Sequence, residues 1–213
     1  MTAVVPEDAD LAAVTAVIAN GVAGWLALHR LARLQPRDRV LVLGASRGIG
    51  ATTCRMAALF PAAQVIGVVS GDVGREVTGD GTVDVVIDPV GGSMREVALA
   101  RLAPFGRHIL VGNASGADAP FSGDECWLQT RLIAGLNVGG IAHVGPDAVG
   151  EALAAVVALV ARGALQEPAP AIESLEDAAA VHHASENRTA PGKTLLAVAG
   201  SCSCAGYQRR GAP

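Results

Sequence analysis

The sequence predicts an α/β fold in which helices cover both faces of a parallel sheet. Segments typical of strands alternate with segments typical of helices along most of the 213 residues. The strand segments are nearly continuous runs of Val, Ile and Leu, as expected when both faces of a sheet are buried. Hydrophobic residues make up 51% of the chain and aromatic residues only 3%, so the core must be built from aliphatic side chains. The length suits one sizeable core.

The predicted elements follow one another in a regular order. An apolar helical segment comes first, with Asp8 or Asp10 as its N-cap and with Gly21 and Gly24 dividing it into two helices. Strands are predicted at 40–43, 65–69, 83–87, 108–111, 132–138 and 194–199. Helices are predicted at 48–60, 94–102, 149–161 and 175–185. We therefore expect a single domain over residues 1–200, followed by a flexible tail at 201–213.

The connection between the second and third predicted strands is short. Thirteen residues, SGDVGREVTGDGT, separate positions 69 and 83. A single crossover connection takes about a dozen residues or more, and a helix–strand–helix insertion needs roughly two to three times that number. An extended chain can still reach the next strand. We therefore expect the sheet to lack one edge strand and one helix of a complete dinucleotide-binding fold.

Composition and charge argue against several classes of protein. The formal net charge is −4 and no basic run is present, which argues against nucleic-acid binding. The amino terminus carries acids where an export signal would carry Lys or Arg, and the longest uninterrupted apolar run, 152–161, is about half of a membrane span. The four cysteines have the spacing of neither a disulfide scaffold nor a four-ligand zinc site, although Cys202 and Cys204 could pair with a partner or bind a metal. We expect a cytoplasmic protein with no metal site, no nucleic-acid partner and no membrane segment.

The stretch RVLVLGASRGIG places a glycine-rich turn between a strand and a helix. Gly44 allows the tight exit from the strand, Gly48 lets a phosphate approach the backbone, and Gly50 lets the helix pack against the sheet. The free N–H groups and the partial positive charge of the helix N-terminus would hold the anion. A purely structural turn is the alternative, but the strand–turn–helix context favours a Rossmann-type, doubly wound nucleotide-binding sheet.

The end of the second strand bears on which nucleotide is bound. NAD-specific folds place an acid there for the ribose hydroxyls, but here Ser70 and Gly71 follow the strand and Asp72 comes slightly late. Arg47 and Arg75 would favour a 2′-phosphate, so we predict NADPH over NADH. In the alternative interpretation, Asp72 merely caps a turn and both arginines are solvated.

Two families share this glycine turn. GASRGIG is similar to the turn of short-chain dehydrogenases/reductases, but that family needs a Tyr followed four residues later by a Lys. The only tyrosine here, Tyr207, is followed at that spacing by Gly211. The chain instead resembles, from about residue 5 to 199, the cofactor-binding half of medium-chain dehydrogenases/reductases of the quinone oxidoreductase (zeta-crystallin-like) branch. The segments that carry this resemblance stand in the family's order: GVAGWLALHRLARLQPRDRVLVLGASRGIG, REVTGDGTVDVVIDPVGG, LAPFGRHILVGNASG, LIAGLNVGG and APGKTLLAVA.

The resemblance implies roles for particular residues. The residues expected to line the pyrophosphate are Ala45, Ser46, Arg47, Gly48 and Ile49. Those expected beside the adenosine ribose are Ser70 and Gly71. Those expected to approach the nicotinamide ribose are Gly112, Asn113 and Ala114, and those expected to flank the nicotinamide are Asn137, Val138 and Gly139. The alternative is that these segments are ordinary strand-end loops, in which Gly and Asn are common.

The resemblance also implies departures from complete relatives. In complete relatives a catalytic half precedes the position of residue 1. Those relatives also carry a Lys shortly after the second strand, where this chain has Val73 nearby, and commonly a Thr where this chain has Ala23. We expect a truncated NADPH-binding oxidoreductase that transfers a hydride to a quinone or enone, weakly unless a second polypeptide completes the site. One alternative is a non-catalytic assembly or ligand-binding protein, and another is a cyclase or isomerase that uses the former cofactor cleft. The resemblance further implies a homodimer built on the strand at 132–138, since an apolar edge strand left bare would pair in an uncontrolled way.

Overall fold

The computed structural model describes residues 2–61, 63–69, 81–187, 189–190 and 192–198. The chain divides into two compact units, Met1–Glu167 and Pro168–Pro213. Together they span the range 1–200 that the sequence analysis assigns to one domain, and that assignment stays a prediction. The expected tail at 201–213 lies outside the described residues.

Within the described residues, the first unit is built on a parallel sheet of five strands. Their bounds are Arg39–Leu43 (β1), Gln64–Val68 (β2), Val83–Asp88 (β3), Leu102–Leu110 (β4) and Leu132–Gly135 (β5). The strand order is β2-β1-β3-β4-β5, and every pairing is parallel. The predicted fold class, a Rossmann-type α/β sheet, is confirmed. The sheet was expected to lack one edge strand and one helix because of the short connection after β2. Residues 70–80 of that connection lie outside the described residues.

Helices cover both faces of this sheet. They span Leu11–Trp25 (α1), Gly48–Ala57 (α2), Gly92–Ala100 (α3), Gly123–Leu128 (α4), Val138–Val144 (α5) and Pro146–Ala161 (α6). Alternate residues of β1 point to opposite faces, as strand geometry requires. Val40 and Val42 join the core formed with α1, α2 and α6, whereas Leu41 and Leu43 join the core formed with α3.

The first helical segment is continuous, so the prediction that Gly21 and Gly24 divide it is wrong. α1 runs through both glycines and continues as a π-helical segment, Leu26–Leu31. The glycines serve packing: a Cβ on Gly21 would lie 2.6 Å from Val156 Cγ1, and one on Gly24 would lie 2.8 Å from Thr53 Oγ1. The missing side chains let α6 and α2 approach this helix closely, and Asp10 caps it by accepting from the N–H groups of Ala12 and Ala13.

The segment Leu11–Leu31 is also long and apolar enough, by length and composition, to cross a membrane. Just over half of its most apolar stretch, 56%, is buried within the structure. A core helix meets the same criteria as a membrane span, so these criteria alone assign no membrane segment.

The second unit contains a two-stranded parallel sheet. Ala171–Ser174 (β6) pairs with Thr194–Ala197 (β7), and a 3₁₀ turn at Leu175–Asp177 leads into the helix Ala178–Glu186 (α7). The second of these strands was predicted from the sequence, and the first was not. The closing strand therefore finds its hydrogen-bonding partner in β6, within its own unit.

Candidate functional site

The glycine turn after β1 has the geometry that its spacing predicts. Gly44 and Gly48 adopt φ angles of 64° and 59°, a backbone region that favours glycine. A Cβ on Gly50 would lie 2.3 Å from the carbonyl oxygen of Gly44 and 2.6 Å from that of Leu43. Backbone oxygens cannot yield as a flexible side chain can, so only glycine lets α2 begin this close to the end of β1.

The N-terminus of α2 offers free backbone donors. Its N-cap residue, Arg47, is extended and makes no capping hydrogen bond, and the first turn carries no acid. The first N–H groups of an α-helix have no partner within the helix, and the helix dipole gives this end a partial positive charge. Ser46, Arg47 and Gly48 are exposed. The turn can therefore accept an anionic group.

Glu167, the last residue of the first unit, holds α2 from the side. Its carboxylate accepts a hydrogen bond from Thr52 Oγ1 at 2.6 Å and forms an ion pair with Arg55 Nη1 at 2.8 Å. The Glu167 side chain is only 16% exposed, so this pair is better shielded from solvent than most surface ion pairs. Two residues one turn apart on α2 are thus fixed by a single carboxylate.

A cleft of about 720 Å³ opens beside the turn. Its walls come from α1, the start of α2, the segments that follow β4 and β5, the start of α5, and α6. The lining residues are Ile18, Ala19, Asn20, Val22, Ala23, Ile49, Val111, Gly112, Asn113, Leu136, Asn137, Val138 and Leu153. Apolar walls with a few polar groups are typical of sites for small molecules and cofactors. The polar side chains here are asparagines, and none of the lining side chains titrates near neutral pH.

The strand predicted at 132–138 ends earlier, at Gly135. Asn137 caps the following helix, α5, because its Oδ1 accepts from the N–H of Gly140 at 3.0 Å. A side chain that bonds to its own backbone in this way favours a helix N-cap over a strand. Asn137 and Val138 therefore lie at the start of a helix and not in a strand, and both line the cleft.

The loop after β4 brings Gly112 and Asn113 to the opposite wall. The Asn113 amide, in the orientation that satisfies its hydrogen bonds, donates to the carbonyl oxygen of Ala117 at 2.7 Å. The amide thereby helps to close the loop. Backbone bonds tie the loop to the segment after β3, since the N–H groups of Ala114 and Ser115 donate to the carbonyl oxygens of Pro89 and Val90.

A buried ionic cluster lies at the end of β3. Asp88 is fully buried and accepts from the N–H groups of Val90 and Gly91, both at 2.8 Å, and from Arg95 Nε at 2.7 Å. His108 Nε2 lies 3.5 Å from the same carboxylate. Burial alone would raise the pKa of Asp88, but His108, Arg95 and the two N–H groups outweigh it and lower the pKa to about 2. Asp88 is therefore a charged structural group that closes a turn, in agreement with the turn chemistry of the Pro-Val-Gly-Gly sequence after it.

Most of the predicted site residues lie in or near the cleft. Those that line it are Ile49, Gly112, Asn113, Asn137 and Val138. Those that form the adjoining turn are Gly44, Ala45, Ser46, Arg47 and Gly48. Ala114 and Gly139 follow lining residues in the chain and do not themselves line the cleft. Ser70, Gly71 and Arg75 lie outside the described residues. Cofactor contact by any of these residues stays a prediction.

The wall formed by α1 and α6 was not predicted from the sequence. Ile18, Asn20 and Val22 of α1 and Leu153 of α6 line the cleft. The helical segment was recognised, but its period gives no sign of which apolar side chains face a cavity and which face the core. Ala23, singled out because the family commonly has Thr there, is the one signal in the sequence that pointed to this wall.

Within the described ranges, no group of three or more His, Cys, Asp or Glu residues is arranged to hold a metal ion. Cys54, which lies on α2, is a poor nucleophile: burial raises the pKa of its thiol to about 11, although the charge of Arg55 acts in the opposite direction. The described lining of the cleft offers apolar walls and the side-chain amides of three asparagines.

Comparison with known proteins decides the family. The family model described as zinc-binding dehydrogenase matches residues 60–196, well over half of the chain. The chain belongs to the medium-chain dehydrogenase/reductase family. This confirms the resemblance identified from the sequence.

Individual relatives are distant and longer than this chain. A mycobacterial quinone oxidoreductase superposes with a TM-score of 0.81 at 21% identity, over 91% of this chain and 67% of that one. The quinone oxidoreductase of Thermus thermophilus, whose structure was also solved with NADPH, gives a TM-score of 0.72 at 21% identity, over 86% of this chain and 65% of that one. Synaptic vesicle membrane protein VAT-1 of Tetronarce californica is 21% identical over 88% of this chain, which spans 59% of that protein. At this identity the solved structures are evidence for the fold alone.

Proposed function

We propose that this chain binds NADPH in the cleft and serves an oxidoreductase that transfers a hydride to a quinone or an enone. The observation that carries the proposal is the position of the glycine turn. Its exposed, uncapped helix start opens directly beside an apolar cleft, and Ile49 belongs to both. A dinucleotide needs this combination, because its pyrophosphate is anionic and its nicotinamide ring is flat and weakly polar.

The residues present fit such a cofactor. The turn 44–48 would hold the pyrophosphate through backbone N–H groups. Gly112 and Asn113 on one side and Asn137 and Val138 on the other would bracket the nicotinamide end. The reduced nicotinamide, when bound, supplies the hydride. The chain's own part is to bind and orient the ring, and the apolar side chains Ile18, Val22 and Leu153 would exclude water from one side of it.

The preference for NADPH rests on charge. In the sequence, Val69, Ser70 and Gly71 follow β2 without an acid, and the exposed Arg47 at the turn is available to a 2′-phosphate. Arginine binds phosphates well because its planar fork matches phosphate oxygens. The NADPH complex of the Thermus thermophilus relative supports the same choice.

The proposal extends to assembly as a homodimer through β5. Among the residues that the structure describes, this strand has β4 on one side only and forms the sheet edge. Large apolar side chains are exposed on it and on nearby α4: Leu132 is 53% exposed, Trp127 75% and Leu128 71%. Exposed apolar groups beside an unpaired strand edge are typical of an interface. A cytoplasmic location remains part of the same proposal.

A binding titration tests the function. We expect NADPH to bind more tightly than NADH, and oxidation of bound NADPH on addition of quinones or enones to lower the absorbance of the reduced nicotinamide. Calorimetry that shows no heat with either nucleotide at about millimolar concentration would overturn the proposal. Such a result would mean a binding free energy weaker than about −4 kcal/mol. Binding without oxidation by any acceptor would instead support the alternative of a ligand-binding protein.

A further inference from the structure

Arg95 lies on α3, behind the wall of the cleft, and is almost completely buried. Its side chain is 8% exposed. Nε donates to Asp88 Oδ2 at 2.7 Å, Nη1 donates to Asp118 Oδ1 at 2.7 Å, and Nη2 donates to the carbonyl oxygen of Gly112 at 3.3 Å. One guanidinium group therefore joins the end of β3, the start of the loop after β4, and the far part of that loop.

This triple contact needs the shape of arginine. The guanidinium is rigid and planar and carries its donors in a fixed fork, whereas a lysine ammonium is a compact point charge. A lysine could neutralise Asp88 but could not reach Gly112 and Asp118 from the same position. The fork is itself well anchored, because Asp88 is fully buried and is held by the N–H groups of Val90 and Gly91.

The loop that Arg95 holds is otherwise exposed. Residues 112–118 are all exposed to solvent, so side-chain burial does little to fix them. They rest on the segment 89–92 through the N–H groups of Ala114 and Ser115. The fit is close: a Cβ on Gly91 would lie 2.3 Å from the side-chain amide of Asn113 and 3.1 Å from Arg95 Nη2.

We propose that Arg95 is a positioning residue of the cleft: its guanidinium fixes the place of Gly112 and Asn113, and through them the grip on the nicotinamide end of a bound dinucleotide. Arg95 does not line the cleft itself, so it acts through Gly112, which does. The contacts that hold the loop 112–118 are made without any ligand, so the part of the proposal that concerns the loop is independent of nucleotide binding. The effect on the dinucleotide rests on the proposed function.

The first experiment uses amide hydrogen exchange of the chain without nucleotide. Arg95→Lys keeps a charge beside Asp88 and removes the planar fork of donors, and Arg95→Met removes both. The control, Arg30→Met, removes a surface arginine that is paired with Glu151. In both Arg95 variants we expect Ala114 and Ser115 to exchange roughly tenfold faster or more, the change that follows loss of a hydrogen bond to a charged group. In Arg95→Lys the amides of β1 should match the wild type, and in Arg30→Met the loop amides should match it as well. Arg95→Met leaves the buried charge of Asp88 unpaired, so we expect its β1 amides to exchange faster along with the loop. For Arg95→Lys, unchanged exchange in the loop, or equal acceleration throughout the sheet, would overturn the proposal.

The second experiment separates the two ends of the nucleotide. Adenosine 2′,5′-bisphosphate carries the adenine end of NADPH without nicotinamide. In Arg95→Lys we expect the dissociation constant of NADPH to rise about tenfold, while that of adenosine 2′,5′-bisphosphate stays within twofold of wild type. An equal loss for both ligands would show a general structural role and contradict the proposal. If wild type binds neither ligand, the proposed function fails, and hydrogen exchange still decides whether Arg95 positions the loop.

Discussion

Replacing Asp88 by Asn should destabilise the first unit and change its response to acid. The variant keeps the size of the side chain but removes the charge that Arg95 and His108 face. Breaking a buried ion pair by removing one partner typically costs about 3–5 kcal/mol, because the remaining charge is left buried without compensation. We expect the free energy of unfolding of Asp88→Asn to fall by about 3 kcal/mol or more at pH 7.

The pH dependence follows from the lowered pKa of Asp88. Its ordinary value is 3.8 and its value in the fold is about 2, so at neutral pH its ionisation stabilises the folded state by about 2 kcal/mol. A lowered pKa gives stability that is fully present above 3.8 and is lost as the pH falls towards about 2. Asp88→Asn lacks this contribution at every pH. The difference in unfolding free energy between the two proteins should therefore narrow by about 1 kcal/mol between pH 7 and pH 3.

Urea unfolding followed by tryptophan fluorescence measures this directly. Both tryptophans, Trp25 and Trp127, lie in the unit Met1–Glu167, so the signal reports on the unit that contains Asp88. Asp84→Asn is the matched control, because an amide oxygen can still accept the hydrogen bond that Arg39 N donates to Asp84 at 2.8 Å. The control should lose less than about 1 kcal/mol at pH 7. A cost for Asp88→Asn no larger than that of the control, or a gap that stays constant down to pH 3, would refute the reasoning.

Three further predictions concern the glycine turn and the sheet edge. Gly50→Ala should lower the unfolding free energy by about 1–3 kcal/mol, because the added Cβ meets the carbonyl oxygen of Gly44. Gly150→Ala is the control and should not destabilise, since its Cβ meets nothing within 4 Å. Equal urea midpoints for the two variants would contradict this prediction. Gly48→Asp should abolish NADPH binding by placing a carboxylate at the phosphate position, while the neutral Gly48→Asn retains part of it, as calorimetry can show. Leu132→Lys should convert a dimer into a monomer in light scattering, and a wild-type chain that is monomeric at micromolar concentration would argue against the dimer.

The sheet could be predicted from the sequence because its signals are local. Runs of Val, Ile and Leu gave β1, β2 and β3 to within one residue of their observed ends. The prediction for β4 began at 108, whereas the strand begins at Leu102, because Pro104 and Gly106 interrupt the apolar run. The short strand β6 was missed because four residues with one charge carry little pattern. Local patterns thus locate strands well and their ends less well.

The errors in helices come from tertiary packing and capping. Gly21 and Gly24 carry the propensity of helix breakers, but the contacts that their missing side chains allow with α6 and α2 outweigh that propensity. Asn137 was placed in a strand, although an Asn before Val-Gly-Gly can also cap a helix. The geometry of the glycine turn could be predicted because it depends on a local motif. The wall that α1 forms in the cleft and the contacts of Arg95 could not be predicted in this way. Both depend on residues that are far apart in the chain.

The carboxylate of Glu167 sets a limit on how far the first unit can be shortened. A polypeptide that stops at Leu165 would leave Thr52 and Arg55 without the acceptor they share. The helix that begins with the glycine turn would then lose its lateral tie, even though every residue of the turn and of the five-stranded sheet was retained. A shortened chain meant for crystallisation or binding studies should therefore extend past Glu167, and a boundary drawn at the end of α6 would cut away part of the support of α2.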